Sequence, residues 1–583
     1  MTEGNPSTET DLNPLSAARR EAKTALAAVA VFSACINLLV LVSPLYMFQI
    51  FDRVLTSGRV ETLLYLTLVV IVALALFGAL EAIRAVLLAR VAHWLERRLS
   101  PGLLLQSLNH QGSNGLLRDF MQVLYFVGSP GVTPFFDAPW VPFFIVVMYL
   151  LHPWLGVLAL LSAILLTAIA YVNELRTRSG IDEALSAQGR VQQSLTQAEQ
   201  HGDVVAAMNL APALSRRLVR PLDEAQDQLQ SAADTNGIAL GLSKSIRVVA
   251  QVIALGLGAY LVLQGDLSPG GMIAASIILG RALAPVEQAI GAWRGFTAAR
   301  ASYGRLTKAF DAAPSVKSRM QLPSPKGELR VEDASYAPPG VGSPILKRIT
   351  FSSSPGQVVG VVGPSAAGKS LLCRLLVGIA SPQRGSVRLD GAEINHWDRA
   401  QLASAVGYLP QGVELFDGTV RENIGRMGDV DDAAVVEAAQ IAGAHEMILE
   451  LPQAYDTPIG PDGGLLSAGQ RQRIGLARAL FGNPKFLVLD EPNSNLDEDG
   501  ERGLLRAILH MKQQGCNVIL VAHRRTVLQV VDMLLFMRQG AVEQFGPRDE
   551  VVAAIDAQRV ARQSVSTADR GTRESRPDKG GAS

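Results

Sequence analysis

The sequence predicts a six-span α-helical membrane domain followed by an α/β P-loop domain, and three observations carry that prediction. Six long stretches in the first half hold almost no charge. Across the whole chain of 583 residues, 48% are hydrophobic and only 18% charged, with a mean hydropathy of +0.22. In the second half the octapeptide GPSAAGKS follows a short apolar strand and opens a helical run, the setting in which a phosphate-binding loop works. Lys+Arg and Asp+Glu both number 53, so the chain lacks the basic footprint of a nucleic-acid binder, and no nucleic-acid partner is expected.

The opening residues 1–24 are polar, without the apolar core of a cleavable signal, and read as a disordered tail on the cytoplasmic side. The domain that follows, residues 25–310, needs stretches of roughly 20 apolar residues to cross a bilayer as helices. Ala25 to Leu45 supplies the first and Thr62 to Leu80 the second. The third and fourth run from Val141 to Leu151 and from Leu155 to Val172, with His152 and Pro153 turning the chain between them. Ser245 to Leu263 and Gly270 to Ala289 complete six, the last carrying Arg281 and Glu287 toward its end.

Positive charge sets the orientation. The stretch after the second span holds Arg84, Arg90, Arg97, Arg98 and Arg118, and that after the fourth is similarly rich in arginine. The opposite side has only Arg53 and Arg59. Both termini are therefore expected inside, with the two long loops projecting into the cytoplasm as helical extensions of the spans.

Pro314, Pro323 and Pro325 mark residues 311–327 as a linker. Beyond it, from 328 to 562, the runs LRVEDA, QVVGVV, SVRLD, AVGYL, FLVLD and NVILVA alternate with helical stretches, the pattern of a buried, largely parallel sheet. Residues 563–583 are polar and rich in small side chains, and read as a disordered tail. Cys35, Cys373 and Cys516 are too scattered for a disulfide framework or a zinc site.

The P-loop comprises Gly363, Pro364, Ser365, Ala366, Ala367, Gly368, Lys369 and Ser370. Its backbone N–H groups and the following helix N-terminus suit the β-phosphate of ATP, Lys369 reaches β and γ oxygens, and Ser370 ligates Mg2+. In FLVLDEP the strand delivers Asp490 to the metal and Glu491 to the attacking water as general base.

Between these motifs, Leu466 to Gln470 in LLSAGQRQRIGLARAL resembles the LSGGQ signature of ABC-type ATPases. With Gln411 in YLPQ, Asp497 in SNLD and His523 in VAHR, the series is similar to a complete ABC nucleotide-binding domain. The resemblance implies that Gln411 also touches the metal and acts with His523 and Glu491 in catalysis. It further implies that Ser467, Gly469, Gln470 and Asp497 contact nucleotide, with Tyr336 as the adenine-stacking aromatic. Ala468 stands where the family has a glycine, and a methyl is expected to be tolerated there.

Within the membrane half, LRDFMQVLYF ending at Phe126, FFDAPWVPFF (Phe135 to Phe144) and LHPWLG (Leu151 to Gly156), together with EPNSNLD (Glu491 to Asp497), resemble the permease/ATPase of type I protein secretion systems, in the metalloprotease-exporter branch. Ala138 replaces a common leucine in DAPW. Taken by themselves, Asp137, Pro139 and Trp140 read as a helix start and an interfacial anchor.

The resemblance implies a homodimer in the bacterial inner membrane, with its ATPase domains cytoplasmic. It also implies a periplasmic adaptor, an outer-membrane duct and a passenger protein exported unfolded under an uncleaved carboxy-terminal signal. With 24 residues before the first span, no leader peptidase is expected. The motifs by themselves also suit a lipid or small-molecule exporter, or an ATPase that regulates a channel.

Overall fold

A computed structural model describes residues 14–109, 115–312, 322–338, 340–460, 463–522, 524 and 526–557. The chain divides into two compact units, Met1–Ser315 and Val316–Ser583.

Helices in the first unit are α1 (Pro14–Leu39), α2 (Val42–Gln49), α3 (Val60–Asn109), α4 (Leu116–Gly128), α5 (Val141–Leu151), α6 (Pro153–Gln200), α7 (Ala211–Gln264) and α8 (Pro269–Ala312), joined by shorter turns. Among the described residues, six helical stretches are long and apolar enough to cross a membrane. Helix α3 has 50 residues, about 75 Å at 1.5 Å each, against roughly 30 Å of hydrocarbon. The excess length, like that of α6 and α7, forms the two helical extensions expected after the second and fourth spans.

Three local expectations change. The opening segment is helical from Pro14 onward, because proline suits a first helical turn and the Ala, Arg, Glu and Lys that follow favour helix. The first span breaks at Val40 and Leu41, where Pro44 cannot donate a hydrogen bond to the preceding turn. The third span begins before Val141: helical pieces from Pro130 extend it to 22 residues, broken into short turns by Pro130, Pro134 and Pro139.

The bundle core joins α5, α6, α7 and α8 through Phe144, Met148, Leu155, Leu166, Ala254, Leu261, Leu279 and Leu283. Close approach depends on missing side chains, since a Cβ on Gly280 would lie 2.1 Å from Gln251 and one on Gly156 2.7 Å from the Tyr149 backbone. His152 is extended, and its Nδ1 accepts from the Trp154 N–H, starting α6 at the turn the sequence predicted.

Two sequence expectations fail together at the buried polar centre of this unit. Arg84, counted among the loop charges, is only 3% exposed. It donates to Asp137 Oδ1 at 2.8 Å, Ser33 Oγ at 2.9 Å and Glu81 Oε1 at 2.7 Å, and Asn37 Nδ2 donates to the same Asp137 oxygen at 2.9 Å. Asp137 of DAPW is thus an ion-pair partner that ties α1 and α3 to the third span, rather than an interfacial residue. The reason is energetic: a buried guanidinium is tolerated only when paired and hydrogen-bonded.

The second unit has two sheets where a single largely parallel one was expected. Strands β1 (Leu329–Tyr336), β2 (Leu346–Ser353), β4 (Arg384–Leu389) and β5 (Ala392–Glu393) form an antiparallel sheet ordered β2-β1-β4-β5. The second sheet contains β3 (Val358–Val362), β6 (Val406–Leu409), β7 (Phe486–Asp490), β8 (Asn517–Val521), β9 (Met533–Arg538) and β10 (Ala541–Pro547), ordered β10-β9-β3-β8-β7-β6. All its pairings are parallel except β9 with β10. LRVEDA and SVRLD therefore leave the parallel sheet. Their alternation of buried and exposed residues suits a sheet with one wet face, whereas β7 and β8 are buried at every position.

Residues 322–328 belong to this second unit by hydrogen bonding. Leu322 pairs with Gln401, and the N–H groups of Lys326, Gly327 and Glu328 converge on the Asp390 carboxylate.

Candidate nucleotide-binding site

The loop 363–370 leaves the carboxyl end of β3 and enters helix α9 (Lys369–Leu376), whose first turn has no side-chain cap. That uncapped turn, at the edge of a parallel sheet, is the place where backbone N–H groups and the helix dipole favour an anion. Two glycines are required by shape. Gly363, at φ 158°, would bring a Cβ to 2.2 Å from the Met537 carbonyl oxygen, and Gly368, at φ 93°, to 2.8 Å from Leu346. Ala366 takes the left-handed region at φ 63° despite its methyl, so strain is concentrated in the loop. Lys369 is 7% exposed, and its ammonium donates to the carbonyls of Gly363 and Pro364 at 3.0 and 3.1 Å, which folds it back over the loop.

Parallel pairing sets the carboxylates. β7 lies between β6 and β8, so Asp490 and Glu491 emerge at the same sheet edge as the P-loop. Asp490 is 2% exposed, whereas Glu491 sits at φ 52° with its N–H on the Val521 carbonyl. That left-handed turn swings the glutamate out, and Gln411, just past β6, donates from Nε2 to Glu491 Oε2 at 3.1 Å. Sequence reasoning chose both residues, and the fold brings them together. His523 lies outside the described residues.

Burial also tunes this edge. Cys373 on α9 is fully buried, which with the nearby Asp490 charge pushes its thiol well above the ordinary range and makes it inert. Tyr408 of YLPQ is pushed up to about 12, chiefly by burial.

The signature residues form a second group. Helix α10 (Ala468–Leu480) is capped by Ser467, whose hydroxyl accepts from the Gln470 N–H while Gln470 Oε1 accepts from the Ser467 N–H. Ala468 is exposed, so its methyl need not displace the core. A Cβ on Gly469 would lie 3.0 Å from the Asn495 carbonyl oxygen. Among the described residues, no hydrogen bond or ion pair joins residues 467–470 to the P-loop.

Asp497 goes with the signature group. It caps helix α11 (Glu498–Gln513) by accepting from the Gly500 N–H, and it pairs with Arg473 of α10. The Gly500 N–H first, then Arg473, hold its carboxyl below the usual range. Tyr336 ends β1 opposite Leu346, the side chain lying over Gly368, and its ring packs on the core beneath the loop.

The sequence reading missed the connections that hold EPNSNLD. Buried Gln472 of α10 donates to the Pro492 carbonyl at 3.0 Å, and Asn493 donates to Glu501, which also pairs with Arg524 beside position 523. Gln472 and Asn493 lie within the quoted motifs, but no spacing marks their partners; only the crossing of α10, α11 and the segment after β8 reveals them.

Comparison with known proteins agrees with this geometry. Residues 346–494 match the ABC transporter family and residues 130–283 the ABC transporter transmembrane region. The chain is 41% identical over 560 residues to the type I secretion system ATP-binding protein PrsD of Rhizobium meliloti, covering 94% of this chain and 96% of that protein. It is 30% identical to the cyclolysin secretion/processing ATP-binding protein CyaB of Bordetella pertussis, over 90% of this chain and 75% of the relative. The structure of a bacterial Atm1-family ABC exporter with ATP bound superposes with a TM-score of 0.78 at 20% identity, covering 96% of this chain and 99% of that one, and shares the fold. The chain therefore belongs to the ABC transporter family, as a multi-pass membrane protein of the type I secretion ATP-binding group whose nucleotide hydrolysis is coupled to transport.

Proposed function

We propose that two copies of this chain form an exporter in the bacterial inner membrane that uses ATP to move unfolded protein out of the cytoplasm, working with a periplasmic adaptor and an outer-membrane duct. The observation that carries the reading is the near full-length similarity to the secretion protein PrsD, spanning the membrane unit and the ATP-binding unit alike. The passenger is a protein with an uncleaved carboxy-terminal signal, such as a metalloprotease. Both termini and the second unit face the cytoplasm, as the arginine distribution requires.

The P-loop from Gly363 to Ser370 cradles the phosphates, with Lys369 turning from its carbonyl contacts toward them. Glu491, presented by its left-handed turn and steadied by Gln411, orients and deprotonates the attacking water, with His523 assisting. Tyr336 serves adenine. Mg2+ supplies charge neutralisation at the phosphates when bound. Ser370, Asp490 and the Gln411 carbonyl oxygen are the residues that would hold it. This donor set fits a cation that relies on phosphate and water oxygens: it has one carboxylate, and no cluster of three metal-ligating side chains occurs among the described residues.

Ser467, Gly469 and Gln470 are exposed or half-buried and not bonded to the P-loop of their own chain. In this reading they complete the nucleotide site of the other copy, and Asp497 positions the signature helix. The passenger must be threaded unfolded, because even a 100-residue domain has a radius of gyration of about 13 Å. The test is secretion, in cells holding adaptor and duct, of a very stable domain fused ahead of the signal, against its destabilised mutant. Export of the destabilised fusion alone supports threading. Equal export of both overturns it, and lipid-stimulated ATPase with no protein export replaces the reading with a lipid exporter.

A further inference from the structure

The outer faces of the spans differ in chemistry. Helix α3 exposes Leu64, Leu68, Val69, Ile71 and Val72, each more than half accessible, as a lipid-facing helix should. Helix α8 is different: from Pro269 to Ser302 it exposes no large hydrophobic side chain. Between Gly270 and Gln288 its exposed positions are Arg281 and Gln288, seven residues apart and so on nearly one face, with half-buried Ala284 between them. Arg281 stands 12 residues beyond Pro269, about 18 Å along the helix and near mid-depth of a roughly 30 Å hydrocarbon layer.

Arg281 makes no hydrogen bond or ion pair with any described residue, whereas the other charges at such depths are committed. Glu287 holds Arg247, and Asp137 and Glu81 hold Arg84. A second copy of the chain would bring the same committed carboxylates and another Arg281. A bare guanidinium facing lipid costs several kcal/mol, so this face is more stable against water or an anionic group.

We propose that Arg281 and Gln288 line a water-filled path through the membrane and contact the exported polypeptide, with Arg281 selecting passenger segments rich in carboxylates. This rests on the protein-export reading. The guanidinium pairs with Asp and Glu side chains and also donates to peptide carbonyls, while the Gln288 amide bonds to an extended backbone of any sequence. A lysine-rich segment at the same place meets like charge.

Two measurements on the full-length protein in lipid nanodiscs test it. In a Cys35→Ser background, Arg281→Cys and Gln288→Cys should react with a membrane-impermeant maleimide much faster than Val72→Cys on the apolar face of α3. Reaction of Arg281→Cys no faster than Val72→Cys overturns the water-filled path. The second probe is a pair of labelled unstructured peptides of about 30 residues, Gly/Ser-rich with Glu or with Lys at every third position, followed by fluorescence anisotropy. The Glu peptide should bind about tenfold more tightly, a difference of about 1.4 kcal/mol. Arg281→Gln should remove most of that preference and Arg281→Lys keep it. An equal preference in wild type and Arg281→Gln overturns the assignment, and so does loss in Arg281→Lys as complete as in Arg281→Gln. Fast labelling with no binding of either peptide, and ATPase stimulated by lipid alone, removes the protein-export reading and with it the passenger role.

Discussion

The membrane unit and the ATP-binding unit solve the same problem in opposite directions. In the membrane unit the surface is apolar and the interior carries charge, with buried Arg84 locked to Asp137, itself held by Asn37, and reaching out to the half-exposed Glu81. In the ATP-binding unit the interior strands β7 and β8 are buried throughout, and the polar chemistry sits at their ends, as with Gln411 on Glu491 and Asp497 on Arg473. The difference teaches where a polar contact is structural and where it is chemical. A buried ion pair must stay closed to be tolerated, whereas a strand-end carboxylate is useful because it can exchange partners.

The sharpest separation between the two is catalytic. Lys369→Ala should abolish ATP hydrolysis measured as phosphate release. Glu491→Gln should reduce turnover by about 10²–10⁴-fold while retaining nucleotide affinity in a fluorescent-nucleotide titration. Near-normal steady-state hydrolysis by Glu491→Gln would remove that residue from the mechanism. A mixed dimer of Lys369→Ala with Ser467→Arg chains confines both lesions to one composite site and leaves the other intact, so measurable activity should survive in the mixed dimer and vanish in either homodimer.

The next effect belongs to the membrane interior. Asp137→Ala strands Arg84 without its main partner and should destabilise the protein by about 3–5 kcal/mol in thermal unfolding in detergent. Glu224→Ala, which breaks the exposed Arg220–Glu224 pair, should cost under about 1 kcal/mol. Similar shifts for the two would erase the contrast between a buried ion pair and an exposed one within the same unit. The double change Arg84→Met with Asp137→Leu removes both charges and should recover much of the loss.

Smaller still is the backbone strain at the P-loop. Gly368→Ala places a methyl on a residue at φ 93°, against Leu346, and should cost about 1–2 kcal/mol as well as weakening nucleotide affinity. An unchanged affinity would mean that the loop adapts.

An effect of similar size is expected at Asp497. Loss of its cap in Asp497→Ala should cost about 0.5–2 kcal/mol. Because the folded state lowers its pKa, the stability it adds is present above the ordinary carboxylate range, near 4, and is lost as pH falls through the folded value. Asp497→Asn keeps the acceptor at every pH and should flatten that acid limb in unfolding scans; an unchanged limb would assign it to other carboxylates.

Much of this was legible along the chain because it depends on local rules. Apolar length marks the six spans whatever packs on them, although it missed the proline-broken start of the third, from Pro130. The P-loop and FLVLDEP are read from spacing, since strand, turn and helix follow one another within a few residues. The sequence also marked Gln411, although the bond to Glu491 required β6 and β7 to lie side by side. What the tertiary structure decided was every pairing between distant segments: the division of strands between two sheets, the burial of Arg84 against Asp137, and the grip of Gln472 and Glu501 on the segment after β7. It also decided which face of α8 stays uncovered, leaving Arg281 without a partner among the described residues. Hydrophobic periodicity reports that a residue has a buried side, but contact order carries no local signature, so the identity of the neighbour emerges only when the chain has folded.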